Sequence, residues 1–284
     1  MIPTDPDPEI RFAEANGARF AYVERGAGET VVMVHGSASD YRDWCAALPH
    51  LAAAHRAIAY SRRHHHPNRS GGDGSDYSTA LHVEDLAALI ETLGGAPVHV
   101  VGHSYGAQMA CTLALRHPRL VRTLVLCEPL FPGLLAGTSI EAEFAAEMAA
   151  FRPRMREALA AGREKEALRE LVDWVFGPPG FDGLAPARRA ALLDNAEAFR
   201  LQMTSVVEPS LECADAARIE TPVTFVLGSR SPRVRRVVAE RFAECRPGTE
   251  IITVEAVSHG VPYEAPEAFA RAVSAFLARH SAGA

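Results

Sequence analysis

The sequence predicts an α/β fold in which a mostly parallel sheet carries helices on both faces and a helical cap is inserted late in the chain. Three observations predict it. Short β-rich runs alternate with helical patterns along most of the 284 residues. A glycine-flanked serine stands at one strand-to-helix turn. Between Pro132 and about Ala217 the strand pattern disappears, and stretches rich in Ala, Glu and Arg take its place.

The elements follow in order. Residues 10–25 read as an antiparallel hairpin turning at Asn16-Gly17, a pair suited to the positive φ of a two-residue turn. The strand VVMVH (31–35) is followed by a helix near 43–53, the strand AIAY (57–60), a helix near 80–93 and the strand VHVVG (98–102). A helix from Ser104 to about His117 leads to LVLC (124–127). After the helical stretch come VTFVL (223–227), a helix near 233–245, IITV (251–254) and a last helix near 265–280. The expected division is a core of residues 1–131 and 218–284 with a cap at 132–217. In the cap, Phe144, Met148, Leu159, Leu168, Leu171, Val172 and Phe176 recur at helical spacing, either to pack on the core or to line a pocket.

Composition excludes several classes. Hydrophobic residues are 48% and charged residues 23%, as in a globular protein with a large core. The net charge of −6 is spread without blocks, which argues against a nucleic-acid surface. The start, MIPTDPDPEI, lacks a basic stretch followed by an apolar one, and no run is long enough to span a bilayer, so a cytoplasmic protein is expected. Cys45, Cys111, Cys127, Cys213 and Cys245 are odd in number and scattered, which reads as free thiols in a reducing compartment. No motif calls for a metal or a cofactor, and the expected partner is a small-molecule substrate.

Gly102-His103-Ser104-Tyr105-Gly106 is a G-x-S-x-G sequence placed directly after VHVV and before a helical run. The glycines let the backbone turn sharply, and the serine hydroxyl can project above the sheet edge. A serine hydroxyl needs a neighbour to take its proton, and a neutral imidazole suits that role. Among twelve histidines, His259 stands five residues after IITV and just before the last helix.

With VVMVHGSASD, VHVVGHSYG and VSHGVPYEAPEAF, the sequence resembles the α/β-hydrolase superfamily over nearly all of the chain outside the cap. The resemblance implies an eight-stranded sheet, Ser104 as nucleophile and His259 as base. It implies an oxyanion hole from the backbone N–H groups of Ser37 and Tyr105, in a loop opened by His35-Gly36. Many members carry an aspartate after the strand matching VTFVL, but here that loop reads Gly228-Ser229-Arg230-Ser231-Pro232. A subset of relatives instead has an acid after the preceding strand, where this chain has Glu128. Glu128 is then either the acid that orients His259 or a residue capping the cap junction.

Ser61-Arg62-Arg63-His64-His65-His66-Pro67 opens a loop running through Asn68, Gly71, Gly72 and Gly74 to Tyr77. It is either a solvated or structural loop, or it brings Arg63 or a histidine to the substrate or the oxyanion loop. His35, Gly36, Arg63 and His103 are accordingly candidate substrate contacts. His103 is also expected to pack or hydrogen-bond at the elbow, and Asp40 and Trp44 to cap and pack the following helix.

The expected reaction is hydrolysis of an ester or lactone through an acyl-enzyme on Ser104, with activity rising through roughly pH 6 to 7 as His259 loses its proton. Carbon–carbon or amide bond hydrolysis, a perhydrolase side activity, and a non-hydrolytic cyclase, lyase or receptor on the same fold stay open. The oligomeric state is not legible.

Overall fold

The structure is a computed structural model that describes residues 8–68, 74–177, 179–205 and 210–281. Residues 1–7, Gly71 and Gly72 of the loop, and positions 178 and 206–209 of the helical stretch lie outside the described residues.

The strands are β1 (Arg11–Ala15), β2 (Ala18–Arg25), β3 (Thr30–Val34), β4 (Arg56–Tyr60), β5 (Val98–His103), β6 (Val121–Cys127), β7 (Val223–Gly228) and β8 (Glu250–Val254). They form one eight-stranded sheet in the order β1-β2-β4-β3-β5-β6-β7-β8. β1 and β2 are antiparallel around Asn16 and Gly17, both at positive φ as a two-residue turn requires. From β4 to β8 every pairing is parallel.

The helices are α1 (Leu48–Leu51), α2 (Thr79–Leu93), α3 (Tyr105–Arg116), α4 (Glu141–Ala160), α5 (Glu164–Phe176), α6 (Gly180–Gly183), α7 (Pro186–Asp194), α8 (Ala196–Thr204), α9 (Cys213–Ala217), α10 (Arg233–Cys245), α11 (Val261–Glu264) and α12 (Pro266–Ala278). α4 to α9 all fall between β6 and β7, and no strand interrupts them among the described residues.

Strand alternation builds two cores. Val32, Val34, Val100, Leu124 and Phe225 join the cluster under α2, α3 and α10. Val31, Met33, Val101, Val125 and Val226 join the opposite cluster with Trp44, Phe269 and Phe276. Burial of both faces explains why these strands read as continuous apolar runs.

Two expectations need correction. The helix near 43–53 is instead a short 3₁₀ turn, Tyr41–Trp44, followed by the single turn of α1. Pro49 forbids one continuous helix, because its ring clashes with the carbonyl four residues earlier, and it sits in the first turn of α1 where that conflict vanishes. The cysteines are not all free: Cys213 and Cys245 form a disulfide joining α9 to α10, while Cys45, Cys111 and Cys127 are thiols. The two partners are 32 residues apart in sequence, so only the packing of α9 on α10 reveals them. The composition argument for a reducing compartment loses its support. No helix among the described residues is long and apolar enough to cross a membrane.

Candidate active site

Ser104 occupies the turn between β5 and α3 with φ 53° and ψ −117°, a strained conformation for a residue with a side chain. Neighbouring glycines make the turn feasible. A Cβ on Gly106 would meet the Val34 carbonyl oxygen at 2.2 Å, and one on Gly102 would meet Ala107 Cα at 2.5 Å. Gly36 lies close enough that a Cβ there would stand 3.2 Å from Ser104 Cβ. Backbone pairing locks the turn, with the Ser104 N–H donating to the Cys127 carbonyl at 2.8 Å.

Glu128 follows β6 directly, at φ 53° and fully buried. Its Oε1 accepts from the Gly228 N–H and the Ser231 hydroxyl, both at 2.7 Å. Its Oε2 accepts from His259 Nδ1 at 3.3 Å. Ser231 thus holds a carboxylate from the neighbouring strand at the place where many relatives would supply one themselves. Burial opposes ionisation of Glu128, but the hydrogen bond from His259, the nearby Arg235 and the Ser231 hydroxyl hold its carboxyl below the usual range. Donation from Nδ1 leaves Nε2 of the neutral imidazole as the free lone pair.

Burial, followed by Arg235, lowers the His259 imidazole to about 3, against the opposing pull of Glu128. The ring lies edge-on to Phe176 of α5 at 5.7 Å. Its backbone is held by His103, whose Nε2 donates to the His259 carbonyl at 2.9 Å. His103 Nδ1 in turn faces Asp43 at 3.5 Å. Asp43 is buried and ion-paired with Arg188 of α7, whose guanidinium lies 4.2 Å from the centre of the Tyr263 ring. Burial opposes the Asp43 charge, yet Arg188 and His103 keep the carboxylate well below its ordinary range.

Ser104, His259, Ser37, Tyr105, Gly36 and His103 all line one cavity of about 470 Å³. Its far wall comes from the helical stretch, including Met148, Phe151, Leu171, Trp174 and Phe176. The Gly36 carbonyl is pinned from two sides, by His35 Nδ1 at 2.9 Å and Arg62 Nη2 at 2.8 Å. Because a trans peptide sets N–H opposite C=O, this clamp turns the Ser37 N–H the other way. The Ser37 hydroxyl accepts from Gln202 of α8 at 2.9 Å.

Two candidate substrate contacts are corrected. His35 is buried behind the loop, between the Gly36 carbonyl and the Arg62 N–H, and does not reach the cavity. Arg63 also stays out of the cavity, since its guanidinium is bound to Asp85 and to the Asn16 carbonyl. Bracing of the Gly36-Ser37 loop falls instead to the preceding Arg62, with His65 contacting the Ser39 carbonyl at 2.6 Å. The chain turns at Arg63, with the His65 N–H donating to the Arg62 carbonyl at 3.0 Å, so one step in sequence decides which arginine faces the loop. Sequence reasoning missed Asp43, Arg188 and Arg235 altogether. The only local signal was an acidic residue beside Trp44, and nothing ties it to an arginine 145 positions later.

A family profile described as the alpha/beta hydrolase family matches residues 31–272. The chain belongs to the alpha/beta hydrolase family. Among proteins of known sequence, an uncharacterized hydrolase of Bacillus subtilis is 30% identical over 44% of this chain, and the match spans only 46% of that protein. The 2-(acetamidomethylene)succinate hydrolase of Mesorhizobium japonicum is 26% identical over 89% of this chain and 90% of its own. Among solved structures, an enol-lactonase from Burkholderia xenovorans LB400 shares the alpha/beta hydrolase fold with a TM-score of 0.75 at 18% identity, covering 94% of this chain and all of that one (100%).

Proposed function

We propose that this alpha/beta hydrolase cleaves a small-molecule ester or lactone through an acyl-enzyme on Ser104. One observation carries the reading: a serine held at positive φ on the strand-to-helix turn shares a cavity with a histidine whose far nitrogen is bonded to a buried carboxylate. Family membership and relatives named as hydrolases support the coarser part.

In this reading Ser104 Oγ attacks the carbonyl carbon while His259 Nε2 takes its proton. Negative charge develops on the carbonyl oxygen and is stabilised by the N–H groups of Ser37 and Tyr105. The tetrahedral intermediate collapses, and the imidazolium returns the proton to the departing alkoxide. Water then repeats the sequence on the acyl-enzyme, releasing the acid and restoring Ser104. Glu128 fixes the tautomer of His259 and stabilises the imidazolium. The helical stretch 132–217 acts as a cap that keeps bulk water from the acyl-enzyme and shapes the substrate space.

A fluorophosphonate probe together with p-nitrophenyl butyrate tests this. The expected result is stoichiometric attachment to Ser104 and turnover of the ester. A folded protein that neither reacts with the probe nor turns over esters would sink the proposal.

A further inference from the structure

The charges on the cavity wall are one-sided. Among the described residues, its charged side chains other than histidine are Asp43, Arg152, Arg156, Arg188 and Arg235. Two of the arginines are already balanced: Arg188 is paired with Asp43, and Arg235 donates to the Glu128 carbonyl at 3.1 Å beside that residue's carboxylate. Arg152 and Arg156 are different. They stand four residues apart on α4, so they share one helix face, and both line the cavity. The positions three and four residues from either hold Met, Ala, Pro, Leu or the other arginine, so α4 places no carboxylate beside them. Neither has an ion pair or hydrogen bond among the described residues. Between them Arg154 points elsewhere and is paired with Glu170 of α5 at 3.1 Å.

Like charges one turn apart on a helix destabilise it. Both arginines are exposed, so their two guanidinium forks stand at the solvent-open edge of a largely apolar cavity, where they form an anion clamp that matches the geometry of a carboxylate. We propose that the substrate carries a negatively charged substituent, most simply a carboxylate, which Arg152 and Arg156 hold while Ser104 attacks the ester. This inference rests on the hydrolase reading of the same cavity and adds the substrate class.

The test compares p-nitrophenyl butyrate with p-nitrophenyl hydrogen glutarate, which differ by a carboxylate at the acyl end. The kcat/KM ratio of glutarate to butyrate should exceed one by about tenfold or more, chiefly through KM, and fall as salt is raised. Arg152→Gln with Arg156→Gln should bring the ratio to about one or below, whereas Arg154→Gln should leave it unchanged. Calorimetry with Ser104→Ala protein and phenyl hydrogen glutarate against phenyl butyrate reads the same preference as binding, without turnover. Equal rates and equal binding of the two esters would overturn the anion clamp while leaving the ester hydrolase intact. Failure to hydrolyse either ester, with glutarate still bound preferentially and the preference lost in the double arginine variant, would keep the clamp and overturn the reaction.

Discussion

The two halves of the site are built differently. On the sheet side, Ser104 and Glu128 each stand within one residue of a strand end, and His259 lies on the loop after β8. Main-chain pairing, two positive-φ turns and fully buried hydrogen bonds fix them. On the helical side, α7, α8 and the Asn195 between them are tied to the loops after β3 and β4, mainly through side chains. Arg42 meets Asp194 at 2.9 Å, Asn195 donates to Asp40 at 2.6 Å, and Gln202 reaches Ser37. Asp43 pairs with Arg188, and the His66 N–H reaches Asn195 at 2.8 Å. The difference teaches where change is tolerated: Ser104, Glu128 and His259 are tied to backbone that cannot move without disturbing the sheet, whereas the helical side is held by side-chain contacts, of which the exposed ones can be replaced singly and the buried Asp43–Arg188 pair cannot.

Breaking the sheet side gives the largest effects. Ser104→Ala should reduce p-nitrophenyl ester turnover by on the order of 10⁵-fold with an unchanged melting temperature. Residual activity near the wild-type level would remove serine as nucleophile. Glu128→Gln keeps the shape but offers His259 a poorer acceptor, so kcat should drop by about 10³- to 10⁴-fold. A rate close to wild type would hand the orienting role to another group.

The contact between the halves is probed by Asp43 and Arg188. Either Asp43→Asn or Arg188→Gln alone strands one buried charge, and should cost about 3 kcal/mol, or on the order of 5–10 °C in Tm. The double variant should recover much of that loss in a thermal-melt cycle. Strict additivity of the two losses would mean that the pair does not hold the halves together.

The smallest expected effect is in the pH profile. In the proposed mechanism His259 must be neutral to accept the serine proton, and a lowered imidazole stays neutral to lower pH. Burial under the helical side and Arg235 lower it to about 3, so kcat/KM should stay level from pH 8 down to roughly 5 and fall only below. The sequence alone predicts the fall between roughly 7 and 6. A midpoint near 6.5 in stopped-flow or pH-stat assays would show that the imidazole is hydrated, and hence that the helical side does not seal it.

Legibility follows the same division. Strands β3 to β8 were readable because apolar runs bounded by turn residues are local, and each is found within a few residues of its expected place. The hairpin at Asn16-Gly17 is readable for the same reason, whereas the helix expected near 43–53 gives way to two short turns because Pro49 outweighs the capping signal of Asp40. Ser104 and His259 stand out by their positions after strands and Glu128 only through the family resemblance, and the structure brings Glu128 and His259 into hydrogen-bond contact. Arg62, Asp43, Arg188 and the Cys213–Cys245 disulfide were not legible, since each depends on a partner distant in the chain.

The sequence by itself determined the order of strands and helices, the strained serine turn and the residue types available for acid, base and oxyanion roles. These follow from hydrophobic period and backbone sterics, which act over a few residues. Tertiary structure alone decided which arginine braces the Gly36-Ser37 loop, how far burial lowers the imidazole, and which cationic side chains of the cavity have no counter-charge among the described residues. Desolvation and Coulomb interactions depend on distances that exist only once the helical stretch has packed over the sheet.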